Sequence, residues 1–317
     1  MSNERMARDP RAESPAERAL LGRGNRMSAR VASSLALLLL GLVGCAHRDR
    51  IVVGSKNFTE SDLLGEIVAQ QIERRTGLPV ERRFHLGGTF VCHQAITSGQ
   101  IDLYVEYTGT AYTAVLKHAP VADRDSVYRT VARDYAQRFE LVWGKPFGFN
   151  NTFAITVRRR DATRYGLKRI SDLTRVAPGW KAGFGYEFLE RADGFRGLAS
   201  VYGLRFASPP TAMDLGLTYR ALAEGKVDVI AGNSTDGQIQ ALDLVVLEDD
   251  RHYFPPYEAA PVIRQAAITR HPGVAAALDQ LAGRISDAEM RRLNALADVE
   301  HRDIATIARD WLRVSLP

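Results

Sequence analysis

The chain has 317 residues, of which 45% are apolar and 25% are charged. This composition is typical of a globular protein with one large or two medium domains. The formal net charge of +5 is concentrated near the N-terminus, since residues 1–45 hold seven Arg and only four acidic residues. The remainder has a net charge of about +2, which argues against nucleic acid or another polyanion as a partner.

The first 45 residues have the pattern of an export signal. An apolar run over residues 31–43 follows two arginines and is too short for a comfortable membrane span. It ends in LVGC at residues 42–45, which resembles the bacterial lipobox. We therefore predict that Cys45 is lipidated and anchors the protein to a bacterial membrane, in the periplasm or at the cell surface. The alternative is an unlipidated signal peptide with a chance cysteine.

Two features of this segment stay open. Translation can start at Met1 or at Met27, because residues 1–26 are polar and Arg-rich and carry no core pattern. The sequence also does not decide between the inner and the outer membrane.

The chain has two cysteines, Cys45 and Cys92, so a lipid on Cys45 excludes an intramolecular disulfide in the mature protein. Cys92 precedes His93, and this pair suggests a nucleophile or a metal site. However, residues 89–98 predict a short helix, in which adjacent side chains diverge by about 100°. We therefore expect Cys92 to be a small buried residue, and we predict no metal and no cofactor.

The first mature elements are predicted to be a strand, a helix and a second strand. Residues 51–55 are β-rich, and a helix is expected from about Thr59 to Arg75, with Thr59 as its cap and Gly77 as its stop. Another strand is expected over residues 79–84. This order is typical of a parallel βαβ unit.

A weak internal repeat relates residues 95–104 to residues 221–230. Both segments predict the end of a helix, a glycine and a strand, and both strands lead into polar turns at residues 107–110 and 233–236. Turns at the carboxyl ends of strands bind ligands in open α/β sheets. One copy in each lobe would place the two turns across a cleft, although chance similarity explains a ten-residue match equally well.

The order of elements predicts an α/β fold with two lobes. After the N-terminal segment 1–45, residues 46–151 are expected to form the first part of lobe 1, and residues 152–252 to form lobe 2. Residues 253–317 contain a Pro-Pro break near their start and are expected to return to lobe 1. A strand over residues 150–157 would make the first crossing.

Five stretches of the mature chain resemble the glycine betaine and choline binding proteins of osmoprotectant ABC transporters. These stretches are Gly54–Glu60 (GSKNFTE), Leu86–Thr89 (LGGT), Ile101–Thr110 (IDLYVEYTGT), Glu187–Asp193 (EFLERAD), and Leu247–Asp250 (LEDD) with Phe254–Tyr257 (FPPY). They occur in order along nearly the whole mature chain, so they are more specific than any single motif. The resemblance implies the two-lobed periplasmic-binding-protein fold of type 2, with the ligand in the cleft.

The resemblance also implies a function and partners. It implies a solute-binding lipoprotein of an ABC importer that captures a quaternary ammonium osmolyte, such as glycine betaine or choline, and delivers it to permease subunits. The protein is then expected to be a monomer that contacts the membrane only through its lipid. The alternatives within this fold are carnitine, proline betaine, ergothioneine or a non-betaine solute.

The chemistry of such a ligand indicates which residues bind it. A trimethylammonium group cannot donate a hydrogen bond, so aromatic faces surround it, each contributing about 0.5–2 kcal/mol. A betaine carboxylate needs Lys or Arg. Carried over position by position, the resemblance implies Tyr107 and Tyr257 as cage residues and Lys56, Thr110 and Arg191 as tail-binding residues.

Each of these assignments has a structural alternative. The two tyrosines could be ordinary half-buried aromatics, and the two cations could be solvated surface charges. Lys56 and Arg191 each follow a β-rich strand at a predicted helix entrance, where anions are favoured, and this placement supports a ligand role.

Three further positions complete the predicted ligand site. Phe153 stands at a third cage position that is often Tyr, and it keeps the aromatic face. Asn233 stands where many family members have a fourth cage tyrosine, and it replaces the ring with an amide. Asn151 could serve as a hinge or as a ligand contact. Because Lys56 lies on one predicted lobe and Arg191 on the other, a ligand is expected to close the lobes.

Two other classes of function compete with this interpretation. An enzyme is not predicted, because the sequence lacks Gly-x-Ser-x-Gly, His-Glu-x-x-His, Cys-x-x-Cys and Walker patterns, and its seven His are scattered. A sensory receptor domain would share the bilobal fold. Nothing that resembles a helix-turn-helix or a permease accompanies the predicted lobes.

Overall fold

The computed structural model describes residues 50–316, so the predicted signal segment and the lipidation at Cys45 lie outside the described residues. The strands are β1 Ile51–Gly54, β2 Val80–Arg83, β3 Leu103–Tyr107, β4 Leu141–Trp143, β5 Phe153–Arg158, β6 Ala182–Gly185, β7 Thr211–Met213, β8 Val229–Asn233, β9 Leu244–Val246 and β10 Ala259–Arg264. The α-helices are α1 Thr59–Thr76, α2 Thr89–Thr97, α3 Thr108–Thr110, α4 Arg124–Phe139, α5 Arg159–Tyr165, α6 Tyr186–Glu190, α7 Phe195–Tyr202, α8 Leu215–Ala223, α9 Gln238–Ala241, α10 Gln265–Arg270, α11 Gly273–Asp279, α12 Asp287–Asp298 and α13 Ile304–Ser315. A π-helical turn at Ala111–Val115 and 3₁₀ turns at Ile170–Arg175 and Ala177–Gly179 accompany them.

The first sheet has the strand order β2-β1-β3-β10-β4. Strand β1 runs parallel to β2 and β3, with Ile51 opposite Val80 and Val53 opposite Leu103, whereas β10 is antiparallel to β3 and β4. Parallel neighbours need a crossover connection, and α1 supplies it between β1 and β2. The predicted N-terminal βαβ unit is confirmed.

The second sheet has the order β7-β6-β8-β5-β9 and repeats the topology of the first. Strand β6 is parallel to β7 and β8, and β5 is antiparallel to β8 and β9. Strands β3 and β8 are therefore the central strands of their sheets, each preceded by a helix, α2 and α8. These two helix-strand units are the segments related by the internal repeat, which is thus a structural repeat.

The chain passes between the sheets twice, from β4 to β5 and from β9 to β10. The two crossing segments lie side by side, because Asn151 N–H donates to the carbonyl of Tyr257 at 3.0 Å and Tyr257 N–H donates to Asn150 Oδ1 at 2.6 Å. An isolated antiparallel bridge also joins Asn150 to Glu258. Two adjacent connections of this kind are suited to hinge motion of the lobes.

Both faces of the first sheet are buried. Along β3, Leu103 and Val105 belong to the hydrophobic cluster that contains α1, whereas Tyr104 belongs to a second cluster with α4. Alternate side chains of a strand point to opposite faces, so helices cover the sheet on both sides. This arrangement is typical of sheets with parallel strands.

The C-terminal helix α13 is amphipathic. In α13, Ile307 and Trp311 are buried while Arg309 and Arg313 are exposed, a helical period that turns one face to the core. Within residues 50–316, no helix has both the length and the apolar composition needed to cross a bilayer.

The predicted cap of α1 is wrong. The N-cap residue is Phe58, and the Thr59 hydroxyl donates to Asp298 Oδ1 at 2.6 Å. The helix therefore starts one residue earlier than a Thr cap would require, and the hydroxyl is used to join α1 to α12. The predicted stop at Gly77 is confirmed, since Gly77 has φ 70° and its N–H donates to the carbonyl of Glu73.

Candidate ligand-binding site

A cavity of about 330 Å³ lies between the two sheets, near the ends of their central strands. All eight side chains that the sequence predicts for ligand binding line it, and they are Lys56, Tyr107, Thr110, Asn151, Phe153, Arg191, Asn233 and Tyr257. Other lining residues were not predicted, among them Phe58, Phe188 and Glu187. The fold brings the predicted residues together, and their contact with a ligand stays a prediction.

Sheet register explains why these residues meet. Phe153, the first residue of β5, is paired with Asn233, the last residue of β8. In the other sheet Tyr107, the last residue of β3, is paired with Ala259, two residues after Tyr257. Each central strand therefore ends beside the start of an antiparallel strand that follows a crossing segment. The two crossing segments bring both of these strand ends to the cleft.

Aromatic rings form much of the cavity wall. Tyr107 and Tyr257 are 5% and 2% exposed, and Phe153 packs edge-on against Tyr257 with centroids 5.7 Å apart. Phe58 and Phe188 extend this wall, with centroids 6.2 Å from Tyr107 and 4.8 Å from Phe153 respectively. Phe58 was missed, although it stands in the first block of the resemblance. Ring faces of this kind attract a cation.

Lys56 follows β1, and its side chain is buried. The ammonium donates to Glu106 Oε1 at 2.5 Å and to Thr89 Oγ1 at 2.9 Å, and it lies 5.2 Å from the centroid of the Tyr107 ring. A buried ammonium needs a counter-ion, and Glu106 provides it. Lys56 is therefore not a solvated surface charge.

Arg191 is buried and bound to Asp193, with Nε 2.9 Å from Oδ1 and Nη2 2.6 Å from Oδ2. Its guanidinium carbon lies 5.0 Å from the centroid of Phe153 and 5.8 Å from that of Tyr257. Burial disfavours the charge on Asp193, but Arg191 and the hydroxyls of Tyr257 and Thr113 together outweigh this effect and lower the pKa of Asp193. The predicted helix entrance at Arg191 is wrong. The chain enters α6 directly at the end of β6, so Arg191 is the C-cap of α6.

Asp193 links the two lobes. Its Oδ2 accepts hydrogen bonds from Thr113 Oγ1 at 2.7 Å and from Tyr257 OH at 2.6 Å. Thr113 follows β3 in the first lobe, whereas Arg191 and Asp193 follow β6 in the second. Asp193 is thus the member of this ion pair that accepts hydrogen bonds from the first lobe, and Arg191 holds its carboxylate in place.

A second buried carboxylate, Glu60, was also missed. It accepts hydrogen bonds from Tyr107 OH, Asn151 Nδ2 and Asn294 Nδ2, each at 2.7 Å, and from Thr235 Oγ1 at 2.5 Å. Burial raises the pKa of Glu60, and the four donors only partly offset this effect. Because Glu60 lies on α1 and Thr235 follows β8, this carboxylate also joins the lobes.

The two asparagines of the predicted site have different surroundings. Asn151 lies on a crossing segment and binds Glu60, so a hinge position and a place in the cavity wall are combined in one residue. Asn233 is half-buried, and its amide nitrogen lies 3.4 Å from both carboxylate oxygens of Asp236. Burial raises the pKa of Asp236 to about 7. Asn233 stands at the position of the expected fourth ring and thus makes this part of the cavity wall polar.

The Cys92-His93 pair is structural. Cys92 is buried and its thiol donates to the carbonyl of Ser55 at 3.3 Å, and burial raises the pKa of the thiol to about 12, which disfavours the reactive thiolate. The prediction of a small buried cysteine is confirmed. His93 packs against the rings of Tyr135 and Phe139. In the described part of the chain, no group of three or more His, Cys, Asp or Glu is placed to hold a metal ion.

Two α/β lobes, paired crossing segments and an aromatic cavity between the lobes define a bilobal solute-binding protein. Comparison with known proteins identifies its family. Residues 49–314 match the model of the substrate binding domain of the ABC-type glycine betaine transport system. The chain belongs to this family. Its members bind transport substrates and are not enzymes, which confirms the predicted class of function.

Individual relatives agree with this assignment. A glycine-betaine-binding protein of Pseudomonas aeruginosa is 37% identical over 297 residues, which cover 90% of this chain and 94% of that protein. A crystal structure described as a glycine betaine/carnitine/choline ABC transporter is 32% identical with a TM-score of 0.69, and the match covers 83% of this chain and 98% of that one. This likeness confirms the two-lobed fold.

A third relative is the ergothioneine transport permease/ergothioneine binding protein EgtU of Helicobacter pylori. It is 34% identical over 293 residues, which cover 89% of this chain. The chain spans 52% of the length of that relative.

Proposed function

We propose that the cavity captures a small quaternary ammonium osmolyte, with glycine betaine and choline as the first candidates, and that lobe closure presents it to the permease subunits of an ABC importer. The observation that supports this proposal is one cavity lined by Tyr107, Phe153 and Tyr257 together with Lys56 and Arg191. The rings suit a trimethylammonium group, and the cations suit a carboxylate. Because both lobes supply walls, a ligand that touches both favours the closed state.

Isothermal titration calorimetry on the purified chain tests this proposal. Glycine betaine, choline, carnitine, proline betaine and ergothioneine are titrated in turn, with 3,3-dimethyl-1-butanol as a neutral isostere of choline. We expect at least one quaternary ammonium compound to bind and the isostere to bind at least tenfold more weakly, because it lacks the cation. Equal binding of choline and its isostere, or no binding of any compound, would contradict the proposal.

Ergothioneine is the second candidate. It also carries a trimethylammonium group and a carboxylate, and the relative from Helicobacter pylori is named as an ergothioneine binding protein. Asn233 lines the cavity with an amide group that suits the hydrogen-bonding ring of ergothioneine. The same titration decides between the candidates, since binding of ergothioneine alone would favour the second.

The location and the assembly of the protein belong to the same proposal. Residues 1–45 are proposed to be a lipoprotein signal segment, and Cys45 to carry the lipid at the periplasmic or outer surface of a bacterial membrane. The mature chain would act as a monomer with two lobes, one formed by residues 46–151 together with 253–317 and the other by residues 152–252. Co-purification with permease subunits supports an importer, whereas co-purification with a signalling partner supports a sensory receptor.

A further inference from the structure

Glu187 makes a direct contact between the lobes at the edge of the cavity. It lies on α6 in the second lobe, and its carboxylate accepts hydrogen bonds from Thr89 of the first lobe. The backbone N–H of Thr89 donates to Oε1, and the Thr89 hydroxyl lies 3.3 Å from Oε2. Thr89 is the first residue of α2 and is fully buried.

The N-terminus of α2 depends on this carboxylate because its own sequence supplies no acceptor. The N-cap residue is Gly88, which has no side chain, and the first turn contains no acidic residue. The first N–H groups of a helix lack intrahelical partners and carry a partial positive charge. Glu187 therefore gives α2 the cap that most helices obtain from their own N-cap residue.

The glycine at position 88 permits this approach. Its backbone angles, φ −75° and ψ −172°, are open to any residue, so the backbone does not require glycine there. A Cβ at Gly88 would overlap Glu187 Oε1. The absent side chain thus makes room for the carboxylate of the other lobe.

The contact also connects the two cations predicted to bind the ligand tail. The Lys56 ammonium donates to Thr89 Oγ1 at 2.9 Å, and Arg191 Nη1 lies 4.0 Å from Glu187 Oε2. Glu187 is therefore placed between a cation of the first lobe and a cation of the second. Because Thr89 and Glu187 lie on different lobes, the hydrogen bonds between them require the lobes to be together.

We propose that Glu187 is a positioning residue for capture, and that its bond to the N-terminus of α2 locks the closed lobes and sets the rate at which the ligand leaves. This assignment rests on the proposed function for its role in capture. Glu187 acts by holding the lobes, and the attraction of its charge to the ligand cation is not required.

The test compares variants from both sides of the contact. Glu187→Ala removes the acceptor, and Gly88→Ala blocks its approach from the other lobe. We expect each to raise the dissociation rate and the Kd of glycine betaine or choline about tenfold, as for the loss of one charge-assisted hydrogen bond. The double variant should be no worse than either single variant, because both changes remove the same contact.

Two further variants separate locking from other effects. Glu187→Gln keeps a carbonyl acceptor for Thr89 and should weaken binding only about threefold, because a neutral hydrogen bond is about half as strong as a charge-assisted one. Direct attraction of the ligand cation would instead make Gln as weak as Ala. Glu248→Ala is the matched control, since it removes an exposed carboxylate of the second lobe whose one ion pair within residues 50–316 is with exposed Arg169. It should bind as the wild type does. Wild-type dissociation rates in both Glu187→Ala and Gly88→Ala would overturn the proposal.

Failure of the proposed function gives a different result. If no quaternary ammonium compound binds the wild type, the proposed function is wrong, and the contact is then tested by hydrogen exchange of the Thr89 amide in the protein alone. Faster exchange in Glu187→Ala than in Glu248→Ala supports the lock between the lobes. Equal exchange in the two variants overturns it.

Discussion

Removal of the Tyr107 hydroxyl should lower the stability of the protein while leaving its affinity for the ligand nearly unchanged. Tyr107→Phe keeps the ring face but removes one of the four donors to buried Glu60, a hydrogen bond of 2.7 Å. A hydrogen bond to a charged group contributes about 1.5–3 kcal/mol, and three donors remain. We expect the free energy of unfolding to fall by about 2 kcal/mol, which lowers the Tm by about 4–8 °C in a domain of this size.

The same change should affect binding little. The ring face attracts a quaternary ammonium group, so Tyr107→Ala should weaken glycine betaine or choline by about 1–2 kcal/mol and Tyr107→Phe by clearly less. Chemical denaturation of the protein alone measures the first effect, and calorimetry with the ligand measures the second.

The loss of stability should depend on pH. The pKa of Glu60 is raised in the folded state above its ordinary value of 4.5, so folding binds protons and stability falls as the pH rises through the interval between the two values. Removing a donor raises the folded pKa further, because the ionised form loses a partner. The loss in Tyr107→Phe should therefore be larger at about pH 8 than at about pH 5.

Tyr128→Phe is the matched control, since the Tyr128 hydroxyl donates to the neutral carbonyl of Gly144 at 3.0 Å. Tyr128→Phe should lower the free energy of unfolding by about 1 kcal/mol, and this loss should not depend on pH. Wild-type stability of Tyr107→Phe at both pH values would show that its hydroxyl does not support an ionised Glu60. Equal losses of affinity in Tyr107→Phe and Tyr107→Ala would show that the ligand uses the hydroxyl.

Three further changes test other parts of the molecule. Arg191→Ala should lower the free energy of unfolding by about 3 kcal/mol, because it leaves Asp193 buried without its cation, and denaturation should show partial recovery when Asp193→Asn is added. Asp236→Asn should stabilise the protein relative to the wild type above about pH 7 but not near pH 4, because the raised pKa of about 7 makes the ionised form of Asp236 oppose folding. The same difference in stability between variant and wild type at both pH values would contradict this. Cys45→Ser should abolish incorporation of labelled fatty acid, and label retained on that variant would refute lipidation at Cys45.

Local patterns were sufficient to predict much of the fold. The β-rich run at residues 51–55 and the helix expected from about Thr59 to Arg75 predicted β1 and α1 within about one residue. The repeat at residues 95–104 and 221–230 located the two central strands. The cap of α1 was mistaken because Thr59 is bound by Asp298 on α12, a contact between elements distant in sequence.

The site was predictable only where residue type and position were enough. Tyr107 and Lys56 were found through the resemblance, but the carboxylates around them were not. Glu60 was missed because its donors come from residues 151, 235 and 294 as well as from Tyr107. No local spacing connects these positions. Glu106, Glu187 and Asp193 stand within the quoted sequence blocks. Because a buried cation needs an acidic partner, their presence in these blocks could have indicated that they pair with Lys56 and Arg191.

The pairing of the cations changes how a ligand carboxylate would be recognised. Lys56 is bound to Glu106 and Arg191 to Asp193, so neither cation brings an uncompensated charge to the cavity.

Lys56 has three donors and the hydrogen bonds to Glu106 and Thr89 use two of them. The Nη1 group of Arg191 lies 4.0 Å from Glu187 Oε2, beyond hydrogen-bond distance. If Lys56 and Arg191 bind the ligand as proposed, they would offer its carboxylate a small set of fixed N–H donors, which the buried ion pairs keep in place. Fixed donors of this kind cost little reorganisation when the ligand arrives. The preference of the protein for glycine betaine or choline would then follow from the geometry of these donors. The affinity for either ligand should change little with ionic strength, because buried ion pairs are screened little by salt.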